Sequence, residues 1–580
     1  MRREGMQDEE RLADDVLGGH FAPAARVVAV RGVVAHREIM ARLHRVLLLE
    51  RDGDVSFANC GMPYHIGGEI VERAKLVVAS AQLLRRRFRI DVREQSEAVS
   101  IDRAARTIRV RRLADGSEYE LSWDRLILSP GAAPVIPPLP GITAKGVYSL
   151  RNLVDMDRIR AAVEATAEGT RTAVVAGAGF IGLEMAEQLV RKGFVVHLVE
   201  LQSQVLPPLD MDMSVAIRDE LIQQGVKLYL GRALQSVTEQ SGSVSGVALS
   251  DGTQLAASLV ILGLGVRPNV GLATACGLET GPTGGIRINE FLQTSDPHIY
   301  AVGDAVEYPY GPTGSAARVA LAGPANRAGR LAGEHAVCGV SAAFRPVLGT
   351  AIVRVFGQTA AMTGLSVRAA RRAGFDCRSA TVIAGQHAGY FPGAVMLTLK
   401  LVYEYPSGRL LGAQATGADG ADKRIDVLAT VLAFGGTVRD VAGLDLCYAP
   451  PYGSARDPVH QAAFVACNEL DGQGAMLDVD ADLSGFQVVD VRTAAEVAKA
   501  PLTTRAQVTA IPLDELRERL GELDSSRPTV VSCGVGVRAH AAQRILLQSG
   551  FREVQNLTGG ATLRRRVVPT ADSESTGGQS

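Results

Sequence analysis

The stretch that decides the fold is Thr172-Ala173-Val174-Val175-Ala176-Gly177-Ala178-Gly179-Phe180-Ile181-Gly182, continued by an apolar-faced helix through Leu189 and by Val195-Val196-His197-Leu198-Val199-Glu200. A short apolar strand runs straight into G-x-G-x-x-G, and a second strand ends on an acid about twenty residues further on. Gly177 permits the tight turn, Gly179 lets a pyrophosphate approach the backbone, and Gly182 lets the helix pack on the strand. Glu200 is placed to accept from both ribose hydroxyls and to repel a 2′-phosphate. Leu201-Gln202-Ser203 offers no arginine to hold such a phosphate, so NADH is favoured over NADPH.

On the N-terminal side, residues 26–31 (RVVAVR) read as a buried strand, 37–45 as a short helix, and 46–50 as a second strand ending in Glu50, where a ribose-binding acid belongs. The turn between them, Gly32-Val33-Val34-Ala35-His36, keeps a single glycine and puts a bulky His36 where helix–strand packing wants a small residue. Residues 126–132 form another buried strand, stopped at Pro130-Gly131. Residues 294–305 end a short strand in Gly303-Asp304, which puts a carboxylate beside a flavin's ribityl chain or phosphates. The plainer reading of 26–50 is a βαβ start without a ligand.

Ser56-Phe57-Ala58-Asn59-Cys60-Gly61-Met62-Pro63-Tyr64-His65-Ile66-Gly67-Gly68 places Cys60 at the start of a helix, where free N–H groups and the helix dipole favour a thiolate. The next cysteine is Cys276, so a second sulfur for redox chemistry must come from outside this segment. Near the C-terminus a strand at 528–532 leads into Cys533-Gly534-Val535-Gly536-Val537-Arg538 and a helix. That geometry turns backbone N–H groups toward Cys533 and suits a thiolate or persulfide, with Arg538 helping to hold an anionic sulfur donor. Tyr390 and Tyr448 sit in Pro/Gly-rich loops, which on their own read as packing or interface.

At 580 residues the chain is too long for one core, and length suggests about four domains. A net charge of -1 argues against a protein dominated by nucleic acid or an anionic membrane, and no apolar run reaches membrane-spanning length. Seven cysteines without paired spacing fit reduced thiols in a cytoplasmic protein, with no zinc or iron–sulfur pattern. The charged first 25 residues lack the apolar core of a signal peptide.

Together these motifs resemble a known family. SFANCGMPYHIGG, GAGFIGLEMAE, TSDPHIYAVGDAVE, DKRIDVLAT and YAPPYGSARDPV make residues 26–468 similar to the coenzyme A-disulfide reductases, a single-cysteine branch of the pyridine nucleotide-disulfide oxidoreductases. DVR, IPLDEL, CGVGVR and NLTGG make 485–567 similar to a rhodanese domain, and the order resembles the reductase–rhodanese fusions, or NADH-dependent persulfide reductases.

The resemblance implies an α/β chain with two Rossmann-like domains: FAD-binding at 26–150 and 270–345, NAD-binding at 151–269. An α/β dimerisation domain at 346–468, a linker at 469–484 and an α/β rhodanese domain at 485–567 follow, with disordered tails at 1–25 and 568–580. Cys60 would cycle as a mixed disulfide with coenzyme A, flanked by Ser56 and Asn59. Tyr390 and Tyr448 would reach the partner's Cys60 in a homodimer. Glu50, Gly131, Gly303 and Asp304 would contact FAD, and Gly177, Gly179, Gly182 and Glu200 would contact NADH. Arg42 and Arg45 would contact coenzyme A phosphates. Cys533 would take up or deliver sulfane sulfur, for reduction of CoA disulfide, CoA persulfide or polysulfide. The alternatives are an NADH oxidase or peroxidase using a Cys60 sulfenate, and a flavin-free sulfur carrier in which only Cys533 works.

The family's first turn is glycine-rich and its first helix longer. Here Arg31, Val34 and His36 would crowd a pyrophosphate. The Gly-His that usually precedes the IPL segment of a rhodanese is also replaced, by residues 504–508.

Overall fold

A computed structural model describes residues 26–31 and 45–568, with 26–31 and 45 known as backbone only. The chain divides into two compact units, one of residues 1–203 and 225–349, the other of 204–224 and 350–580.

The first unit contains two five-stranded sheets. One is wholly parallel, in the order Lys227–Leu230, Val195–Glu200, Thr172–Ala176, Leu259–Leu262, Val147–Tyr148. Its central strands, TAVVA, VVHLVE and LVIL, are predominantly apolar because both faces are covered. On one side Val174, Ala176, Val199, Val260 and Leu262 pack with Val247 and Leu249 of a small antiparallel sheet. Helix Phe180–Arg191 starts directly after Gly179, as the glycine spacing requires.

The other sheet runs Ile299–Ala301, Arg125–Ser129, Arg26–Arg31, Arg45–Leu49, Asp91–Arg93. The parallel pairs place the ends of Arg45–Leu49, Arg125–Ser129 and Ile299–Ala301 at one edge, which gathers Glu50, Gly131 and Gly303. The βαβ reading of 26–50 is corrected here. Arg26–Arg31 runs antiparallel to both neighbours, pairing Arg31 with Arg45 and Val27 with Leu49, so the chain after Arg31 leaves from the opposite edge. The connection of residues 32–44 is at the lower length limit for a helical crossover, whereas an antiparallel return can be short. The turn at 32–36, the helix at 37–45 up to residue 44, and the two tails lie outside the described residues, apart from Val568.

The second unit holds an antiparallel sheet ordered Ala351–Val355, Gln358–Gly364, Leu410–Gly417, Met396–Glu404, Cys377–Gly385. A parallel C-terminal sheet is ordered Ala475–Leu477, Val554–Leu557, Thr529–Ser532, Gln487–Asp490, Val508–Ala510. The linker assignment at 469–484 is thereby corrected: residues 475–477 form an edge strand of the last domain, and helix Pro458–Leu470 extends to Leu470.

Helix Met211–Gln223, which sequence places in the NAD half, also belongs to this unit. Buried Lys400 bonds Asp212 at 2.7 Å and Asp210 at 3.3 Å at its start. Further along the helix, Val215 packs with Val479 and Leu563, and Arg566 bonds Asp219 at 2.7 Å. Among the described residues no helix is long and apolar enough to cross a membrane.

Candidate active site

Cys60 lies in a 3-10 turn, Asn59–Gly61, that runs into the short helix Met62–Gly67. The helix is pinned from both sides. Met62 and Ile66 are buried, His65 Nδ1–H donates to the Ile70 carbonyl at 2.6 Å, and Arg160 donates to His65 Nε2 at 2.6 Å. Tyr64 Oη donates to Glu184 at 3.1 Å. A Cβ on Gly61 would press on the side chains of Leu76 and Ile70. Buried Ser56 accepts the Val78 N–H on its carbonyl at 3.1 Å, which holds the segment leading to the cysteine. Cys60 itself is exposed.

The expected thiolate stabilisation at Cys60 is reversed. The thiol's pKa is pushed up by the surrounding protein, then by the carboxylates of Glu184 and Asp304, against a backbone hydrogen bond that lowers it. A helix of six residues supplies too small a dipole to offset two carboxylates.

The dinucleotide turn fits its ligand on steric grounds. A Cβ on Gly177 would strike the Gly263 carbonyl, and one on Gly182 would strike the Gly177 carbonyl, so both glycines serve the fold. A Cβ on Gly179 meets nothing within 4 Å. The fold leaves that space open in front of a helix N-terminus, as close approach of a pyrophosphate demands. Glu200 closes the turn, accepting the Ala178 N–H at 2.7 Å on one oxygen and the Gln202 N–H at 2.9 Å on the other.

At the edge of the other sheet Glu50 is wholly buried and accepts the Asp52 N–H at 3.0 Å. Gly131 and Gly303 both take positive φ, 65° and 79°. Asp304 accepts from Arg151 at 3.0 Å, while the buried Nε–H of Arg151 has no partner among the described residues. A buried cationic donor left over beside two permissive glycines fits the phosphates of a dinucleotide. These residues fit FAD without the turn at 32–36.

In the second unit the two tyrosines meet. Tyr390 and Tyr448 hydroxyls are 3.0 Å apart, although 76% and 49% exposed. Their loops are bonded together through Ala388 N–H to the Gly453 carbonyl at 2.9 Å. Beneath them the buried pair Arg424–Asp457, at 2.7 Å, also holds the Gln386 carbonyl, which explains the DKRID and SARDP segments. The Tyr448 bond raises the Tyr390 pKa.

Cys533 is 1% exposed, and its sulfur receives the Gly536 N–H at 3.1 Å. Gly536 has φ 102°, and its carbonyl is held by Asn556 Nδ2 at 3.1 Å. The helix Gly560–Val567 seats the loop, with Ala561 N–H on the Cys533 carbonyl at 2.8 Å and Thr562 N–H on Gly534 at 3.1 Å. Gly560 is obligatory there, since its Cβ would strike the Cys533 carbonyl. Arg538 is not a free cation: Glu496 takes both of its terminal nitrogens, at 2.6 and 2.9 Å.

The pyridine nucleotide-disulphide oxidoreductase model matches residues 30–329, its dimerisation domain 350–459, and a rhodanese-like domain 475–563. This chain belongs to the pyridine nucleotide-disulphide oxidoreductases. Among relatives of this oxidoreductase, the coenzyme A disulfide reductase of Staphylococcus haemolyticus (strain JCSC1435) is 31% identical, over 73% of this chain and 93% of the relative. The NADH oxidase of Methanocaldococcus jannaschii is also 31% identical, over 74% and 94%. The crystal structure of reduced Bacillus anthracis CoADR-RHD superposes with TM-score 0.87 at 38% identity, covering 92% of this chain and 95% of that one. The NAD-dependent persulfide reductase from A. fulgidus gives 0.84 at 36%, covering 90% and 95%. FAD and NAD(H) are the cofactors of the family.

In this oxidoreductase the first unit brings Cys60 under the influence of Asp304, and joins Glu200 to the turn of Gly177, Gly179 and Gly182. The second unit joins Tyr390 to Tyr448 and Arg538 to the Cys533 loop. Asn59 opens the Cys60 turn. Arg42 lies outside the described residues, and Arg45 is known only as backbone. Sequence reasoning missed Arg151, Glu184 and Glu496. Only Glu496 had a local signal, the T-x-x-E capping box that begins at Thr493.

Proposed function

We propose that the protein reduces CoA disulfide and CoA persulfide or polysulfide with NADH through Cys60, and that Cys533 handles sulfane sulfur. The observation that carries this reading is the pair of separately built one-cysteine loops: Cys60 exposed in the turn ahead of a pinned helix, Cys533 buried with the Gly536 N–H on its sulfur. The similarity to a coenzyme A disulfide reductase and, over 95% of its length, to a persulfide reductase supports it.

Gly179 and Glu200 hold NADH. Glu50, Gly131, Gly303, Asp304 and Arg151 hold FAD, which when bound supplies the two-electron relay between NADH and sulfur. The Cys60 thiolate attacks CoA disulfide, forming Cys60–S–S–CoA and releasing one CoA thiolate. Two electrons then restore the Cys60 thiolate and release the second CoA. Overall, NADH, one proton and CoA disulfide give NAD⁺ and two CoA thiols. Ser56 and Asn59 flank the bound coenzyme. The raised pKa keeps Cys60 protonated more of the time, so a proton must leave as attack begins. In a homodimer Tyr390 and Tyr448 approach Cys60 of the partner subunit, where two mutually bonded phenols can carry that proton and return it to the departing thiolate.

NADH consumption with CoA disulfide and CoA persulfide, compared with oxygen and peroxide, tests the reading. The disulfide and persulfide substrates should dominate, and Cys60→Ser should abolish NADH-dependent sulfide release. A second reading, NADH oxidation with a Cys60 sulfenate, draws support from the Methanocaldococcus jannaschii relative. Faster turnover with oxygen or peroxide would establish it instead. Sulfide release that survives Cys60→Ser would favour the sulfur carrier.

A further inference from the structure

We propose that Glu496 sets the donor specificity of Cys533 by cancelling the charge of Arg538, so that the loop takes sulfane sulfur from monoanionic thiol persulfides and refuses the thiosulfate dianion. This deepens, and rests on, the reading of Cys533 as a sulfur acceptor. A cation at the mouth of a thiolate loop would ordinarily serve to draw in an anionic donor. Arg538 stands at that mouth, with one terminal nitrogen 3.8 Å from where a Gly534 Cβ would be, and it interacts with Cys533.

Its charge is already spent. The two terminal nitrogens are both engaged by Glu496, at 2.6 and 2.9 Å, in the forked geometry that suits guanidinium and carboxylate. Glu496 cannot easily swing away. Its second oxygen also accepts the N–H and the hydroxyl of Thr493, at 3.0 and 2.9 Å, as the capping box of helix Ala494–Lys499. The remaining side chains of the loop are Val535 and Val537, the latter 67% exposed. The mouth therefore offers an apolar rim, one backbone N–H on the sulfur, and a neutral ion pair.

That balance suits one donor class. A persulfide monoanion takes up one proton from solvent as it reacts; the Cys533 thiolate bonds to the outer sulfur, the S–S bond breaks, and RS⁻ leaves: Cys533–S⁻, R–S–S⁻ and H⁺ give Cys533–S–SH and RS⁻. With thiosulfate, the products are Cys533–S–S⁻ and sulfite. Three negative charges must then converge on a site whose single cation is paired, with the Glu496 carboxylate beside the approach. Exposure of the pair makes this repulsion sensitive to salt.

Sulfur transfer to cyanide by the full-length protein without NADH tests the proposal, with thiosulfate and hydroxyethyl persulfide as donors. Glu496→Gln retains an oxygen for the Thr493 cap but removes the charge. It should raise kcat/KM for thiosulfate at least tenfold, change the persulfide value less than twofold, and lose most of the gain in 1 M salt. Thr493→Ala, which disturbs the cap and not the charge, should leave the ratio of the two donors unchanged. Equal changes for both donors in Glu496→Gln, or the same shift in Thr493→Ala, would overturn the proposal. Transfer that persists in Cys533→Ser would instead overturn the acceptor reading beneath it.

Discussion

Tyr64 Oη donates to the Glu184 carboxylate at 3.1 Å, which ties the helix that follows Cys60 to the helix that begins at the GAGFIG turn. The same carboxylate raises the Cys60 pKa, after the larger effect of the surrounding protein. Glu184→Gln keeps an acceptor for Tyr64 and removes the negative charge. The pH midpoint for iodoacetamide alkylation of the apoprotein at Cys60 should lie above that of an ordinary thiol. In the variant it should fall by roughly half to one unit, because the thiolate no longer faces a like charge.

Gly179 and Gly182 should separate ligand binding from folding. Gly179→Ala adds a methyl to space that no protein atom fills, so stability should hold while the KM for NADH rises, roughly tenfold for about 1.4 kcal/mol of lost binding. Gly182→Ala drives its Cβ into the Gly177 carbonyl and should cost about 1–3 kcal/mol of stability. Paired denaturation curves and NADH titrations check both outcomes.

Tyr448→Phe removes one hydroxyl of an exposed pair and should leave folding intact. Turnover with CoA disulfide should fall by roughly 10²-fold, the usual loss when a proton carrier is removed. Tyr390 loses the bond that raises its pKa, so the alkaline limb of the pH–rate profile should move to lower pH.

Arg424→Leu leaves Asp457 buried without its cation, and should cost about 3–5 kcal/mol in chemical denaturation. Because Arg424 also holds the Gln386 carbonyl below the Tyr390 loop, activity should fall at denaturant concentrations where the global fold persists.

The features legible in sequence were those in which the backbone itself makes the demand. GAGFIG, the CGVGVR loop and NLTGG each need glycine for a local reason that the structure displays at Gly177, Gly182, Gly536 and Gly560. The apolar run at 26–31 identified a strand but not its direction, because direction depends on the length and path of the connection to Arg45. Residues 475–477 were missed because a three-residue edge strand, exposed and half-buried along its length, carries no usable alternation. Arg151 and Glu184 act across more than a hundred residues of sequence, on Asp304 and Tyr64, and leave no local trace. The Cys60 thiolate expectation failed for a related reason. Its helix is visible in sequence, whereas the packing that raises its pKa most, and the two carboxylates that add to it, depend on distant segments.

Helix Gly560–Val567 begins on the carbonyls of Cys533 and Gly534, and its Leu563 packs against Val215 of helix Met211–Gln223. Arg566 near its end bonds Asp219 of that same helix. The shape of the sulfur loop and the anchorage of its domain thus share one short rod. Loop and anchor should therefore open together, so that amide exchange at Cys533 and at Asp219 reports one common opening free energy.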